Sequence, residues 1–359
     1  MRFSEDGPMA RSTPKLARVV AATICMGASP ALLFFFFMGH HFADDFAVYW
    51  RAANDPVAAA YLPREHFPFP YMPTMFLWIA PLKLVPMRVA YGLWSAIGMG
   101  AMWLAIRNRV PRPALVLVLL SPPAIQCFVA GQVSAVLAAL MIVAFASGPV
   151  AAGVIFGCIA SIKPQLVLFG PVLFLVRRQW LTGLWAATTF IALVTLSALL
   201  FGVPTWLEWY RSLDHFHAVV VTDFVLNVSA NLAAFAEARH LAPLPFQVAG
   251  AIVGLGLIWN LRGLTDPLAL AALVTVTSLL AAPYAMAYDL IAAMPLVAAL
   301  AWRGRVKSSF ALAGGPAPLP LLLIAYDLVS RRGELQRDVA ASQRTAPWPS
   351  PSSLPLRSS

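Results

Sequence analysis

Uncharged apolar runs recur along this chain, and several approach or reach the roughly 20 residues that cross a bilayer as a helix. The first runs from Val19 to Gly39 and is followed by a polar stretch from His40 to Tyr71. Pro73 to Pro86 is apolar but short and bounded by prolines, which suits an interfacial or re-entrant segment. Arg88 to Ile106 forms the next span. Ala114 to Ala130 and Val133 to Ala146 form a hairpin with Gly131-Gln132 at its tip, and Pro122-Pro123 locally opens the first arm. Val150 to Ile162 and Gln165 to Val176 flank Lys163-Pro164. At 1.5 Å per residue each covers only about 20 Å, too little to cross alone. Leu181 to Gly202 is a full span, and Val203 to Pro245 is a second long polar loop. Phe246 to Leu261, Leu264 to Ala282 and Tyr288 to Trp302 complete about ten segments. Phe310 to Val329 carries three prolines and two glycines, so residues 303–329 leave an eleventh span open. Residues 330–359, rich in Arg, Ser and Pro, read as a disordered tail.

Composition agrees with this pattern. Of 359 residues, 60% are hydrophobic and 11% charged, far from the average of soluble domains. The expected class is therefore an all-α polytopic membrane protein. A net charge of +10 would suggest nucleic acid in a soluble chain, but topology accounts for it here and no nucleic-acid partner is expected. Cys25, Cys127 and Cys158 lie inside apolar runs at no metal-ligand spacing. The first apolar run lacks a small-residue cleavage site and reads as a retained anchor.

The basic residues orient the bundle. With residues 1–18 in the cytoplasm, the inner segments carry Arg2, Arg11, Lys15, Arg18, Arg107, Arg109, Arg112, Arg177, Arg178, Arg262, Arg303, Arg305 and Lys307. The outer loops, 40–72 and 203–245, hold Arg51, Arg64, Arg211 and Arg239. That is a positive-inside bias. Lys83 and Arg88 fit less well, but letting 73–86 cross would put Arg107, Arg109 and Arg112 outside. All six histidines (His40, His41, His66, His215, His217 and His240) fall in the outer loops, with Asp44, Asp45, Asp55, Glu65, Glu208, Asp214, Asp223 and Glu237. The external face is where chemistry is expected.

Asp44 and Asp45 stand out because they begin the loop as the chain leaves the bilayer. Phe46, Tyr49 and Trp50 suit an interfacial helix after them, on which Asp45 and Tyr49 share a face. Asp44 suits the N-cap of that helix. A partly desolvated Asp45 carboxylate would have a raised pKa and could take a proton from a sugar hydroxyl. Lys163, between two half-spans, either snorkels or holds a phosphate. Gln132 sits at a hairpin tip. Tyr288-Asp289 opens a span on the external side, where Asp289 needs a partner such as Lys163 or Arg51. His215 and His217 are two apart and do not share a helix face, which argues against a metal site built on them.

Asp45-Phe46-Ala47-Val48-Tyr49 with Ala52-Ala53 and Tyr61 resembles the opening of the bacterial family 87 glycosyltransferases. The likeness continues in Phe69-Pro70-Tyr71-Met72-Pro73, Ala80-Pro81-Leu82 and Leu84-Val85-Pro86. It recurs in Gly131-Gln132-Val133-Ser134, in Ile162-Lys163-Pro164-Gln165, in Asn227-Val228-Ser229 with Leu232, and in Ala282-Pro283-Tyr284 with Tyr288-Asp289-Leu290. It covers about residues 40 to 300, and departs from the family at Met72, where a second proline is usual.

The resemblance implies a GT-C-like transmembrane catalytic domain over residues 19–302, in a bacterial inner membrane, with its active site on the periplasmic face. It implies a hexosyl-, typically mannosyltransferase acting with inversion. The expected donor is a polyprenyl-phosphate sugar, the acceptor a lipid or glycan, and the surroundings membrane lipids. Asp45 becomes the general base. Asp44, Tyr49, Arg51, Tyr71, Gln132, Lys163, Tyr288 and Asp289 become substrate-binding candidates, with Lys163 or Arg51 neutralising the leaving phosphate. No cofactor and no metal ligands are assigned, and a divalent metal stays open. Broken helices also suit a secondary transporter, although the two halves show no internal repeat. A degenerate envelope-assembly protein without catalytic activity is a third reading.

Overall fold

The computed structural model of the protein describes residues 14–38, 42–62, 69–220, 222, 225–226, 229–312 and 318–330. Arg2, Arg11, His40, His41, Arg64, Glu65, His66, Asp223, Asn227-Val228 and the tail from Arg331 lie outside the described residues. The described chain is helical, with one isolated antiparallel bridge, between Ser229 and Met286.

Helix α1 (Pro14–Met38) leads to α2 (Asp44–Asn54), the helix expected after the first run. Asp44 does not cap it. Ala43 is the N-cap, with φ 63°, and its N–H donates to the Val129 carbonyl at 2.8 Å. That backbone bond sets the turn, so Asp44 and Asp45 both enter the first helical turn, where their charges favour the dipole. The segment 73–86 forms no long helix. It breaks into a 3₁₀ turn (Pro73–Met75), the short α3 (Phe76–Ile79) and another 3₁₀ turn (Ala80–Leu84). Helix α4 (Met87–Ile106) follows.

Helices α5 (Arg112–Leu119) and α6 (Pro122–Ala130) meet at 52°, the break expected from Pro122-Pro123. Gly131 ends α6 with φ 73°, a left-handed cap that glycine adopts freely. Then come α7 (Ser134–Phe145) and α8 (Pro149–Ile162). Pro164 disfavours helical geometry at Lys163, which takes φ −135° and ψ 80° and ends α8. A 3₁₀ turn (Pro164–Leu166) and α9 (Gly170–Val176) lead back to α10 (Trp180–Phe201).

Residues 203–245 are not an open loop. They hold α11 (Val203–Val220) and α12 (Leu232–Glu237). The apolar positions Trp206, Trp209, Leu213 and Phe216 recur at helical spacing among charged residues, and tertiary contacts with the 57–61 turn hold that face. The chain ends with α13 (Pro243–Leu261), α14 (Pro267–Ala281), a 3₁₀ turn (Ala287–Ala292), α15 (Met294–Trp302), α16 (Val306–Leu312) and α17 (Leu319–Ser330). Tyr288 and Asp289 thus sit in a tight turn before a helix instead of opening one.

Among the described residues α4, α10 and α13 are each long and apolar enough to cross a membrane, and the bent α5–α6 pair makes a fourth if counted as one span. Helix α10 exposes Leu184, Ile191, Leu199 and Leu200, as a lipid-facing helix does. Its other side meets α8 closely. A Cβ on Gly153 would lie 2.5 Å from the Thr182 carbonyl, and one on Gly157 2.6 Å from Thr189 Cβ. Two glycines four apart let the backbones touch, a packing mode suited to helices without a hydrophobic drive between them.

These contacts also fix levels. Gly153 meets Thr182 and Gly157 meets Thr189, so α8 and α10 run parallel. Lys163 lies six residues past Gly157, while α10 continues to Phe201. At 1.5 Å per residue the end of α8 therefore lies about 10 Å short of the end of α10. Arginine–tryptophan pairs mark the other end: Arg18 lies 4.6 Å over Trp302, Arg107 5.2 Å over Trp103 and Arg262 4.4 Å over Trp259. Such pairs suit a membrane–water boundary.

Candidate active site

Four chain breaks meet where α8 stops short: the first turn of α2, the Gly131-Gln132 tip, Lys163, and the 287–292 turn. Each is held by backbone contacts. A Cβ on Gly131 would come 2.5 Å from Phe46 Cβ, so α2 rests directly on the hairpin tip. Thr74 Oγ1 donates to the Ser161 carbonyl two residues before Lys163. Residues 282–286 are pinned by Asn231 Nδ2 donating to the Ala282 carbonyl at 2.7 Å and Ala230 N–H donating to the Ala285 carbonyl at 3.0 Å.

Lys163 is 3% exposed and Asp289 2%, and Nζ lies 3.0 Å from Asp289 Oδ1. The ammonium also donates to Ser134 Oγ at 2.9 Å and Gln132 Oε1 at 3.2 Å, so all three of its donors are used. Ser134 Oγ donates in turn to Asp289 Oδ1 at 2.6 Å, and Asp289 Oδ2 accepts from Met286 N–H at 3.3 Å. An ion pair this buried survives only when its remaining valences are met, as they are here. Lys163 further lies 4.9 Å from the Tyr288 ring centroid and 5.9 Å from that of Tyr71.

Gln132 joins the two layers of the site. Its Oε1 faces Tyr49 OH at 2.9 Å, Tyr71 OH at 3.3 Å and Lys163 Nζ, while Nε2 donates to Tyr288 OH at 3.0 Å. Its side chain also hydrogen-bonds the Asp45 carboxylate. The Tyr49 and Tyr71 hydroxyls meet at 2.6 Å, and Tyr61 OH donates to the Tyr71 carbonyl at 2.8 Å. Asp45 is partly exposed at the mouth of this network. Burial pushes its carboxyl up to about 6, against the Gln132 hydrogen bond and the Lys163 charge, with Asp44 and Asp289 adding to the rise. A carboxylate that titrates there is ionised at neutral pH and basic enough to accept a proton.

Seven of the nine candidates from the sequence come together: Asp45, Tyr49, Tyr71, Gln132, Lys163, Tyr288 and Asp289. Asp44 lies beside Asp45, partly exposed on the same turn. Arg51 donates from Nε to the Ala47 carbonyl of its own helix at 3.2 Å, so Asp289 pairs with Lys163 instead. Two members of the site were not singled out from the sequence, Ser134 and Tyr284. Both stand inside the short motifs Gly-Gln-Val-Ser and Ala-Pro-Tyr, which was the available signal. Among the described residues no three His, Cys, Asp or Glu side chains gather as a metal cluster.

The sequence profile of glycosyltransferase family 87 matches residues 69–283, more than half of the chain. The chain belongs to glycosyltransferase family 87. Membership indicates a glycosyltransferase, with a sugar donor and an acceptor as its substrates. The matched stretch of this family 87 chain holds Tyr71, Gln132, Ser134 and Lys163, the floor of the site. Helix α2 with Asp45 precedes it, and Tyr284, Tyr288 and Asp289 follow directly after it. No curated protein and no solved structure matches the chain.

Proposed function

We propose that this family 87 chain moves a hexosyl group, mannosyl by the family resemblance, from a polyprenyl-phosphate donor to a lipid or glycan acceptor. The observation that carries the reading is the partly exposed Asp45 carboxylate set over a buried Gln132–Lys163–Asp289 network. Asp45 takes the proton of the acceptor hydroxyl. The acceptor oxygen attacks the anomeric carbon as the bond to the phosphate oxygen breaks, so the configuration inverts. The leaving lipid phosphate gains one negative charge, and Lys163 is the nearest cation in the network to meet it. With Asp289 ionised the pair is neutral, so a phosphate oxygen would replace Gln132 or Ser134 as an acceptor for Lys163 while Asp289 keeps the ammonium aimed.

The depth of the site favours a donor anchored in lipid. Lys163 stands about 10 Å short of the end of α10, so a phosphate at the headgroup level would reach it only through a recess among broken helices. Orientation favours the external face. Helix α14 runs from Asp266, within electrostatic reach of Arg109, to the turn that carries Asp289, so the site and the basic ends lie about 20 Å apart. The full set of about ten spans follows if the short helices pair across their breaks.

Protein in nanodiscs, incubated with radiolabelled polyprenyl-phosphate mannose and a glycan acceptor, should form labelled product, and Asp45→Asn should slow its formation by about 10²–10⁴. Uptake of a solute by proteoliposomes with no transfer would favour the transporter reading instead.

A further inference from the structure

We propose that Tyr284, packed against Phe216 of α11, forms the aromatic wall of the acceptor subsite and that the acceptor presents a sugar ring there. This rests on the transferase reading above. Tyr284 is partly exposed in the short link between α14 and the 287–292 turn. Its hydroxyl shares a hydrogen bond with Tyr288, whose own hydroxyl accepts from Gln132 Nε2 at 3.0 Å, and the Gln132 side chain in turn meets Asp45. The ring is therefore tethered at its polar tip to the network that holds the general base. Phe216 meets it edge-on, with centroids 5.5 Å apart and planes at 87°. Tyr284 is thus held by its hydroxyl on one side and by the face or edge of Phe216 on another.

The position decides which substrate it meets. Asp45 must touch the hydroxyl that loses its proton, and that hydroxyl belongs to the acceptor. A group beside Asp45 lies beside the acceptor, whereas the phosphate of the donor belongs with Lys163, deeper in the network. An aromatic ring offers little to an alkyl alcohol beyond apolar area. It offers a pyranose more, because the axial C–H groups of a sugar face carry partial positive charge and pack on the negative ring face. Two aromatic side chains contributed by different elements make a wall of that kind, and α11 joins the subsite through Phe216. A glycan acceptor is accordingly favoured over a simple lipid alcohol.

Tyr284→Ala, Tyr284→Phe and Phe216→Ala separate the ring from the hydroxyl, and octyl α-mannoside serves as the acceptor probe in nanodiscs. Octanol serves as the ring-free comparison. For Tyr284→Ala the KM for octyl α-mannoside should rise about five- to tenfold, with the donor KM changed less than about twofold. Tyr284→Phe should stay within about twofold of wild type, since the ring remains. Phe216→Ala should shift the acceptor KM in the same direction by a smaller factor, which keeps the test decisive should Tyr284→Ala not fold. Equal KM values for wild type and all three variants, or equal use of octanol and octyl α-mannoside by wild type, would overturn the wall. Absence of Asp45-dependent transfer in the wild type would instead overturn the function on which it rests.

Discussion

Lys163 and Asp289, 126 residues apart in the chain, form a buried ion pair at 3.0 Å with side chains almost wholly withdrawn from solvent. Removing either partner leaves the other desolvated without a counter-charge, held only by neutral hydrogen-bond partners. Lys163→Met and Asp289→Leu should each destabilise the fold by about 3–5 kcal/mol, while the double variant Lys163→Met/Asp289→Leu should recover part of that loss. Thermal unfolding in nanodiscs measures the cycle. Additive losses in the double variant would mean that the two side chains are not energetically coupled.

If Asp45 is the base proposed above, it should govern the pH dependence of transfer. A base must be ionised, and its carboxyl is pushed up to about 6, so kcat/KM should rise with pH through about 6 and level off above. In Asp45→Asn the rate should fall by about 10²–10⁴ and the limb should vanish. A profile of unchanged shape in this variant would assign the limb to another group.

Stability should follow the opposite sign. The folded-state value lies above the ordinary 3.8, so the folded protein holds this proton more tightly than the unfolded chain does. The contribution of Asp45 is present below the ordinary value and is lost as pH rises through about 6. Asp45→Asn should therefore melt higher than wild type above that pH, by no more than about 1–2 kcal/mol after screening at the partly exposed mouth, and equally at low pH. Thermal scans at several pH values check it.

Gly131 couples the hairpin tip to α2. A β-branched side chain there meets both φ 73° and the Cβ of Phe46 at 2.5 Å. Gly131→Val should cost about 2–4 kcal/mol and lift α2 from Gln132, lowering transfer more than it lowers helix content. Circular dichroism beside the transfer assay reads the two effects separately.

Position 44 reports the side of the membrane. Cys25 and Cys127 are 1% and 2% exposed, so replacing the partly exposed Cys158 with Ala leaves little background. Asp44→Cys in that background should react with a membrane-impermeant maleimide added to the outside of intact cells. Reaction seen only after the cytosol is opened would reverse the orientation.

The floor of the site was legible in part because its residues are costly. Lys163 in an apolar hairpin and Asp289 beside an apolar run demand partners, and Gln132 occupies a turn that needs none of its chemistry. Asp45 and Tyr49 follow from four-residue spacing on one helix. Arg51 shows the limit: its charge suited Asp289 as well as that of Lys163 did, and in the fold it bonds the Ala47 carbonyl while Lys163 takes Asp289. Likewise α11 was hidden, because its charged positions lower the hydropathy of a segment whose apolar stripe is regular.

The sequence by itself determined a membrane-embedded helical chain, its break points and the acids and base worth watching, because hydropathy and proline geometry act over neighbouring residues. Only the tertiary structure decided that residues 45, 132, 163 and 289 join one network with 284 tied to it through Tyr288, that Asp44 is no cap, and that α8 halts about 10 Å below the end of α10. Those outcomes depend on how glycine-lined helices slide against each other, and nothing local in the chain sets that register.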